Sequence, residues 1–229
     1  MTGSTGGVTP ARRRGLAEEV ADRIREAIFT GVYAPGAQLR EVDLSQALEV
    51  SRGPVREALL RLEQEGLVRS AWHRGTTVTA LSPDDVAELD SLRGALERLA
   101  VTRVIAVGSD EDIAAIEQAA DRMSRAADAH TMVRHDIGFH DAVYAAARHG
   151  RLRAAWEAIR SQVHLFLLTR IGVRTADYLT RVPDEHRELV AALRARDTAA
   201  ALELFAAHRR HAFEVLNPPP VTGPATTTS

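Results

Sequence analysis

Four side chains in the second half of the sequence have the chemistry of metal ligands, because carboxylate oxygens and imidazole nitrogens both coordinate divalent cations. Asp136 and His140 are spaced i, i+4, while His186 and His208 each share a helical stripe with apolar residues. All four are therefore predicted to face a core, where an ionisable group is costly unless it is paired or coordinated. One divalent cation would satisfy the four groups together, and this Asp/His₃ set suits Zn, Ni, Co, Fe or Mn.

The same residues have a simpler interpretation, in which each histidine is a hydrogen-bonded residue of the core or of a groove. The pair Asp136 and His140 carries little weight alone, since such pairs occur by chance in helices. His164 and His211 could also face the cavity, although for His211, one turn from His208, a surface role or a role beside the ligands is favoured. The spacing alone leaves the metal site and the packed core open as alternatives.

Two arginines in the first half of the sequence have the chemistry of side chains that read DNA bases. Arg52 and Arg56 lie four residues apart in a predicted helix that follows Ser51, so they point the same way. Arg is the residue best shaped to grip guanine O6 and N7 in a bidentate manner. The alternative is a solvated helix face on which the arginines form salt bridges with Glu57 or Glu63.

The pattern around these arginines predicts a winged helix-turn-helix over residues 16–80. Apolar residues recur at helical spacing in the first segment, and Gly and Pro mark the turn that follows. Two short strand patterns then enclose a tip with a glycine, which is typical of a β-ribbon. The predicted elements are a helix at 16–30, a turn at 33–36, a short helix at 43–48, a helix after Ser51, and strands at 67–70 and 76–80.

The sequence changes character at Ser82, and every later element is predicted to be helical. Ser82 is a good N-cap, Pro83 suits the first helical position, and Asp85 completes an acidic first turn. Six helices are predicted, at roughly 83–107, 110–128, 130–148, 151–170, 183–195 and 198–216. The fold class is therefore mostly α, with an N-terminal winged helix-turn-helix over 16–80, a C-terminal all-α helical bundle over 81–216, and ends at 1–15 and 217–229 that we expect to be disordered.

Composition excludes several classes of protein. The chain has 229 residues and no Cys, so disulfides, thiolate metal sites and cysteine nucleophiles are excluded. No apolar run approaches a membrane span and the N-terminus is not a signal peptide, so we expect a cytoplasmic protein without a membrane partner. All 29 basic residues are Arg, which we attribute to a genome rich in G and C.

The first half of the sequence resembles the GntR family of bacterial regulators over about residues 16–80. The matching stretches are Leu39-Arg-Glu-Val-Asp-Leu-Ser-Gln-Ala-Leu48, Val50-Ser-Arg-Gly-Pro-Val-Arg-Glu-Ala-Leu-Leu-Arg-Leu-Glu63, Glu65-Gly-Leu-Val68 and Arg74-Gly75. The resemblance implies DNA contacts by Arg52, by Arg56 and by the wing around Gly75.

At some positions the sequence departs from the family pattern, and for some residues the assignment of a DNA contact is weaker. Glu49 stands where the family usually has Gly, and Val42 stands where some members have an Arg, so Arg40 is at best a nearby substitute. At the predicted wing tip, Arg74 and Gly75 would follow the minor groove. His73 could touch a phosphate or be a solvated loop residue.

The second half resembles the FCD ligand-binding domain of FadR-like GntR members over about residues 83–215, in its shorter, six-helix (VanR-like) branch. The resemblance lies in Arg93-Gly-Ala-Leu-Glu97, Asp136-Ile-Gly-Phe-His140, Glu185-His186 and His208. It implies a helical bundle that holds a metal through Asp136, His140, His186 and His208, usually beneath an organic-acid effector. His149 departs from the pattern, which normally has Asn there, and is expected to alter a helix cap.

Arg93 is the best candidate for a contact with an effector carboxylate, with a salt bridge to Glu97 as the alternative. The expected function is a DNA-binding transcription regulator, a repressor, that senses a small carboxylate through a divalent metal (Zn, Ni or Mn). A homodimer would read an inverted-repeat operator in double-stranded DNA. The competing functions are a metal-dependent enzyme, which lacks a diagnostic acid or base here, and a DNA-binding protein with an inert dimerisation domain.

Overall fold

The computed structural model describes residues 15–72, 75–171 and 175–214, and the chain divides into two units. One unit contains the chain up to Gln64 together with Val68–Val78, and the other contains Glu65–Leu67 together with the chain from Thr79 onward. Apart from Gly15, the ends expected to be disordered at 1–15 and 217–229 lie outside the described residues, and so do residues 215 and 216 of the predicted final helix.

Within its described residues, the N-terminal unit has three helices and a small sheet. Its elements are α1 (Leu16–Phe29), β1 (Gln38–Leu39), α2 (Glu41–Ala47), α3 (Arg52–Gln64), β2 (Val68–Ala71) and β3 (Gly75–Val78). The apolar stripe of α1 packs against α3, which buries Ile24 and Ile28 with Val55, Leu59 and Leu62. The opposite face of α3 is therefore left free to carry polar side chains.

The sheet is antiparallel, with strand order β1-β3-β2. Val68 pairs with Val78 and Ala71 pairs with Gly75, which forms the predicted ribbon. Gly75 has φ +73°, in the left-handed region that favours glycine. The sequence did not predict β1, because a two-residue strand is too short to show alternation.

The turn between α2 and α3 contains Glu49 with φ +53°. A non-glycine residue in this left-handed conformation costs roughly 1–2 kcal/mol. The family's usual Gly at this position therefore has a backbone reason, and the chain tolerates its replacement. The turn leads directly to Arg52, the first residue of α3.

The C-terminal unit is all-helical within the residues described. Its helices are α4 (Pro83–Val107), α5 (Asp110–Met123), α6 (Ala129–Ala146), α7 (Gly150–Ile171), α8 (Thr175–Ala195) and α9 (Thr198–Glu214). Capping boxes at Ser82 with Asp85 and at Ser109 with Asp112 confirm two predicted helix starts. His149 accepts a hydrogen bond from the backbone N–H of Leu152 at 3.2 Å, so it caps the start of α7.

Two predicted helix bounds in this unit were wrong. The helix expected at 110–128 ends at Met123. The helix expected at 183–195 begins at Thr175 and contains Pro183 in its interior. Proline has no N–H and normally marks a helix start, but here the turn before it carries Val182, which is buried in the core, and Leu179, which packs against the core.

Aromatic side chains fill the core of the helical unit. Trp156 is buried, and its ring stacks on Tyr144 with centroids 4.6 Å apart. Its indole N–H donates to Asp141 at 2.8 Å, so the polar atom of this packed side chain has a partner. Trp72, in the N-terminal unit, is 87% exposed. Within the described part of the chain, no helix is long and apolar enough to cross a membrane.

Candidate metal centre and DNA-binding surface

The structure brings the four predicted metal ligands together inside the helical unit. Asp136 and His140 lie one turn apart on α6, His186 lies on α8, and His208 lies on α9. All four side chains are buried. Three helices that are separate in the sequence therefore each contribute to one cluster, as their apolar stripes predicted.

The ligand-competent atoms converge on one point. Nε2 of His186 lies 3.3 Å from Oδ1 of Asp136, and Nε2 of His140 lies 3.4 Å from the same oxygen. One candidate atom from each of the four residues lies within 4.8 Å of the others. Ligand atoms bonded at about 2.1 Å to one metal are separated by about 3.0–3.4 Å when they are adjacent. The two distances to Oδ1 of Asp136 already have this length, whereas separations of up to 4.8 Å elsewhere in the cluster would have to shorten around a metal.

Contacts behind two of the histidines fix which nitrogen faces the cluster. Nδ1 of His186 lies 2.8 Å from the backbone carbonyl oxygen of Val182, which can only accept, so this nitrogen donates. Nδ1 of His208 donates in the same way to Glu185 at 3.1 Å. In each ring the other nitrogen, Nε2, is left with a lone pair for a metal. The Nε2 atom of His186 has no hydrogen-bond partner among the described residues.

Arg93 lies against the cluster. The sequence left two roles open for it, a contact with an effector carboxylate and a salt bridge to Glu97. Its guanidinium donates from Nη2 to Nε2 of His140 at 2.7 Å. The same group lies 3.6 Å from the Glu97 carboxylate, so the alternative ion pair is present. Arg93 and Glu97 are both buried. Because a guanidinium can only donate, Arg93 occupies the lone pair of His140 Nε2, the same nitrogen that faces Asp136.

Sequence reasoning missed Arg209, which joins this buried group of charges. Its guanidinium donates to Glu97 at 3.2 Å and lies 3.2 Å from Asp90. A Cβ at Gly94 would lie 2.8 Å from the Arg209 guanidinium carbon, so this glycine allows the close approach. No sequence spacing links α4 to α9, and only the packing of the two helices reveals the contact.

The protonation of three of the four side chains at neutral pH suits a cation. Burial, together with the nearby charge of Arg93, lowers the pKa of His140 to about 4. Burial is the largest cause that lowers the pKa of His208 to about 4. Burial alone would raise the pKa of Asp136, but His186 and His140 outweigh it and hold that pKa well below its ordinary value. Neutral imidazole and ionised carboxylate are the forms that bind a metal.

An open crevice of about 440 Å³ lies between α8 and α9 and reaches His208. Its lining includes Glu185, the partner of His208, and His211, which lies 4.0 Å from that carboxylate. His211 therefore lies beside the cluster and outside it. Among the four clustered side chains only His208 lines the crevice, so the crevice approaches the cluster from the side of Glu185.

The DNA-contact candidates lie on the N-terminal unit. Arg52 and Arg56 are exposed at the start of α3, and both pair with Glu41 at the start of α2. The predicted alternative partners were wrong. Glu63 accepts from the backbone N–H of Ser70 at 2.7 Å. Glu41 gave no signal in the sequence, because it lies 11 and 15 residues away from the two arginines.

For the remaining DNA-contact candidates, the structure gives an exposed position or no position at all. Arg40 is exposed immediately before α2, and Ser51 is exposed immediately before α3. Gly75 begins β3 at the ribbon tip. His73 and Arg74 lie outside the described residues.

Comparison with known proteins identifies the class and then the family. The helix order with an arginine-bearing α3 and a β-ribbon, joined to a helical bundle, defines a DNA-binding regulator. Residues 16–78 match the model "Bacterial regulatory proteins, gntR family", and residues 88–211 match the FCD domain. The chain belongs to the GntR family and carries an FCD domain. This confirms the predicted family and fold class, and also a regulator rather than a metal-dependent enzyme.

Relatives match over most of their length. The HTH-type regulator YdhC of Bacillus subtilis is 28% identical over 200 residues, which cover 85% of this chain and 88% of the relative. The probable D-xylose utilization operon repressor of Paenarthrobacter nicotinovorans is 30% identical, covering 86% of each chain. The repressor GlaR of Escherichia coli is 30% identical, covering 81% of this chain and 88% of that one.

Solved structures show the same fold. A GntR regulator from Rhodococcus sp. RHA1 superposes with a TM-score of 0.76 at 28% identity, covering 89% of this chain and 98% of that one. The E. coli protein McbR/YncC superposes with a TM-score of 0.75 at 22% identity, covering 89% and 97%. The second likeness concerns the fold alone.

Proposed function

We propose that this GntR-family regulator is a homodimeric repressor that senses a small organic acid through a divalent metal. Residues 16–80 bind DNA, and residues 81–216 sense the acid and dimerise. The observation that carries the proposal is the buried cluster of Asp136, His140, His186 and His208, with ring nitrogens oriented by contacts behind them. Repression is proposed from the relatives named as repressors.

DNA reading is assigned to the start of α3 and to the wing. Arg52 and Arg56 lie on the exposed face of α3, where a guanidinium fork can reach guanine O6 and N7. Arg40, Ser51, His73, Arg74 and Gly75 are assigned supporting contacts. One recognition helix reads only a short half-site, so a two-fold dimer on an inverted repeat is proposed.

The helical unit is assigned the sensor role because its charges match a carboxylate ligand. A bound Zn, Ni or Mn would supply a positive charge and an open coordination position to that carboxylate. Arg93 would hold the second oxygen of the carboxylate, since its guanidinium is buried next to His140. The acid regulates DNA binding only if its affinity differs between the two states of the protein.

The metal is tested by elemental analysis and calorimetry on protein stripped by chelation and refilled with Zn, Ni or Mn. The wild type should bind one ion per chain, and the double variant His140→Ala/His208→Ala should bind none. His130→Ala is the matched control, because His130 lies on α6 outside the cluster and should leave binding unchanged. Wild-type protein without metal, or equal binding by the double variant, would contradict the metal site.

A fluorescence measurement separates metal binding from general loss of folding. The chain has two Trp, one in each unit, and the ring of Trp156 lies 6.1 Å from that of His140. In a Trp72→Phe variant, Ni²⁺ should quench the emission of Trp156. It should also raise the temperature at which this emission reports half-unfolding of the helical unit. If metal binds but no carboxylate binds to it, the inert dimerisation domain becomes the better reading of the helical unit.

A further inference from the structure

The starts of α2 and α3 are joined by a carboxylate that holds both base-reading arginines. Arg56 donates to Glu41 from Nε at 3.1 Å and from Nη2 at 3.0 Å, which is a bidentate pair. Arg52 donates from Nη2 to the same carboxylate at 3.1 Å. Glu41 is 28% exposed, whereas the arginine side chains are 59% and 61% exposed. The carboxylate therefore lies behind the arginines and not in front of them.

The bidentate pair leaves one edge of the Arg56 guanidinium available. Arg carries five N–H donors in a rigid fork, and Glu41 engages one edge, formed by Nε and Nη2. The end of the fork, formed by Nη1 and the second hydrogen of Nη2, can still grip two acceptors. Guanine O6 and N7 are such a pair. Contact with Glu41 and contact with a base are thus compatible.

The charge of Glu41 acts differently on a phosphate. The hydrogen bond from Arg56 outweighs burial and holds the pKa of Glu41 below its ordinary value, so the carboxylate is ionised at neutral pH. An ionised carboxylate beside two arginines reduces the positive potential that attracts the DNA backbone. Non-specific binding depends on that potential, whereas base reading also depends on the orientation of the donors.

We propose that Glu41 is a specificity-determining positioning residue, which orients Arg52 and Arg56 toward base edges and weakens their attraction to phosphates. This inference rests on the proposed reading of bases by the two arginines. It assigns opposite effects on specific and non-specific DNA to one carboxylate. A residue that only stabilised the fold would change both affinities in the same direction.

The test compares two DNA probes with Glu41→Gln in the full chain. The probes are an operator duplex that the wild-type protein selects from a randomised library, and poly(dI-dC) as non-specific DNA. Operator affinity should fall about tenfold, since oriented bidentate contacts are lost. Affinity for poly(dI-dC) should rise about threefold, with a steeper salt dependence, since one negative charge near the phosphates is removed.

Two further variants separate charge from orientation. Asp43→Asn removes an equal charge from an exposed position in the first turn of α2, and it should leave operator affinity unchanged. Glu41→Asp keeps the charge but shortens the reach, so operator affinity should fall while poly(dI-dC) binding stays at the wild-type level. In an Arg56→Ala background, Glu41→Gln should lower the affinity for the operator by much less than tenfold.

The outcomes distinguish this inference from the proposed function. An unchanged ratio of the two affinities in Glu41→Gln would overturn the inference, and so would a parallel loss of both with a lower melting temperature. If Arg52→Ala and Arg56→Ala both bind the operator as well as the wild type, the proposed base contacts themselves are wrong. If these arginine variants lose affinity for the operator while Glu41→Gln keeps it, the proposed base contacts are supported and the proposed role of Glu41 is wrong.

Discussion

At the scale of single residues, the helical unit keeps histidines neutral by burying them. His164 on α7 is buried, and burial together with the charge of Arg160 lowers its pKa to about 3. The ordinary pKa of an unfolded histidine is about 6.5. His164 is outside the proposed ligand set, so its effect on stability can be measured without altering a ligand.

The lowered pKa of His164 predicts the direction of a pH effect on stability. As pH falls below about 6.5 the unfolded chain binds a proton at this residue, and the folded chain does not until about pH 3. The free energy of unfolding therefore falls with falling pH, by up to about 1.4 kcal/mol per pH unit from this group. Between pH 6 and pH 4, the free energy of unfolding of His164→Leu should therefore rise relative to that of the wild type, by up to about 1.4 kcal/mol for each unit that the pH falls.

Denaturant titrations of metal-free protein at several pH values measure this difference. His130→Leu is the control, because His130 is only partly buried on the first turn of α6. The difference between this control and the wild type should vary little with pH. A constant difference between His164→Leu and the wild type would show that His164 is protonated in the folded protein.

At the scale of elements, α6 matters most to the cluster because it carries two of the four side chains. Its N-cap is Asp128, whose carboxylate accepts from the backbone N–H of Thr131 at 2.8 Å and from its hydroxyl at 2.7 Å. The backbone hydrogen bond from Thr131, followed by that from its hydroxyl, lowers the pKa of Asp128. The cap is therefore ionised and complete at neutral pH.

Asp128→Ala should destabilise the helical unit by about 1 kcal/mol, which is the usual cost of losing an N-cap. Chemical denaturation followed through Trp156 in the Trp72→Phe background measures it. Asp128→Ser is the matched control, because serine can also cap, and it should recover most of the loss. An equal loss in both variants would assign the effect to the carboxylate charge and not to the cap.

At the scale of the whole molecule, α4 presents an apolar face to solvent. Leu92, Leu99 and Val107 are all exposed on this helix and lie at helical spacing along one side. Buried apolar area stabilises association, and the proposed dimer needs a face of this kind. We assign this side of α4 to the contact between two copies of the chain.

The variant Leu92→Glu/Leu99→Glu should convert a dimer into a monomer at micromolar concentration. Light scattering without DNA measures the mass, and operator binding should weaken because only one half-site is held at a time. Ser91→Glu adds a charge at a neighbouring exposed position and should leave the dimer intact. A wild-type monomer would contradict the dimer, whereas a dimeric double variant would move the contact elsewhere.

The sequence by itself determined the family, the fold class and most of the helices. The motif from Val50 to Glu63 and the capping boxes at Ser82 and Ser109 are local, so they can be read along the chain. The metal-ligand candidates were also identified from the sequence, because each lies on an apolar stripe that must face a core. Periodicity reports which face is buried even when the neighbouring element is unknown.

Only the tertiary structure decided which side chains meet across elements. Arg209 reaches Glu97 from another helix, and Glu41 holds Arg52 and Arg56 from the start of a different one. Such contacts depend on how helices pack, and no spacing in one sequence encodes them. Pro183 shows the same limit, because the core contacts of Val182 and Leu179 override the local signal for a helix start. Local propensities amount to a few kcal/mol at most, so packing decides where the two conflict.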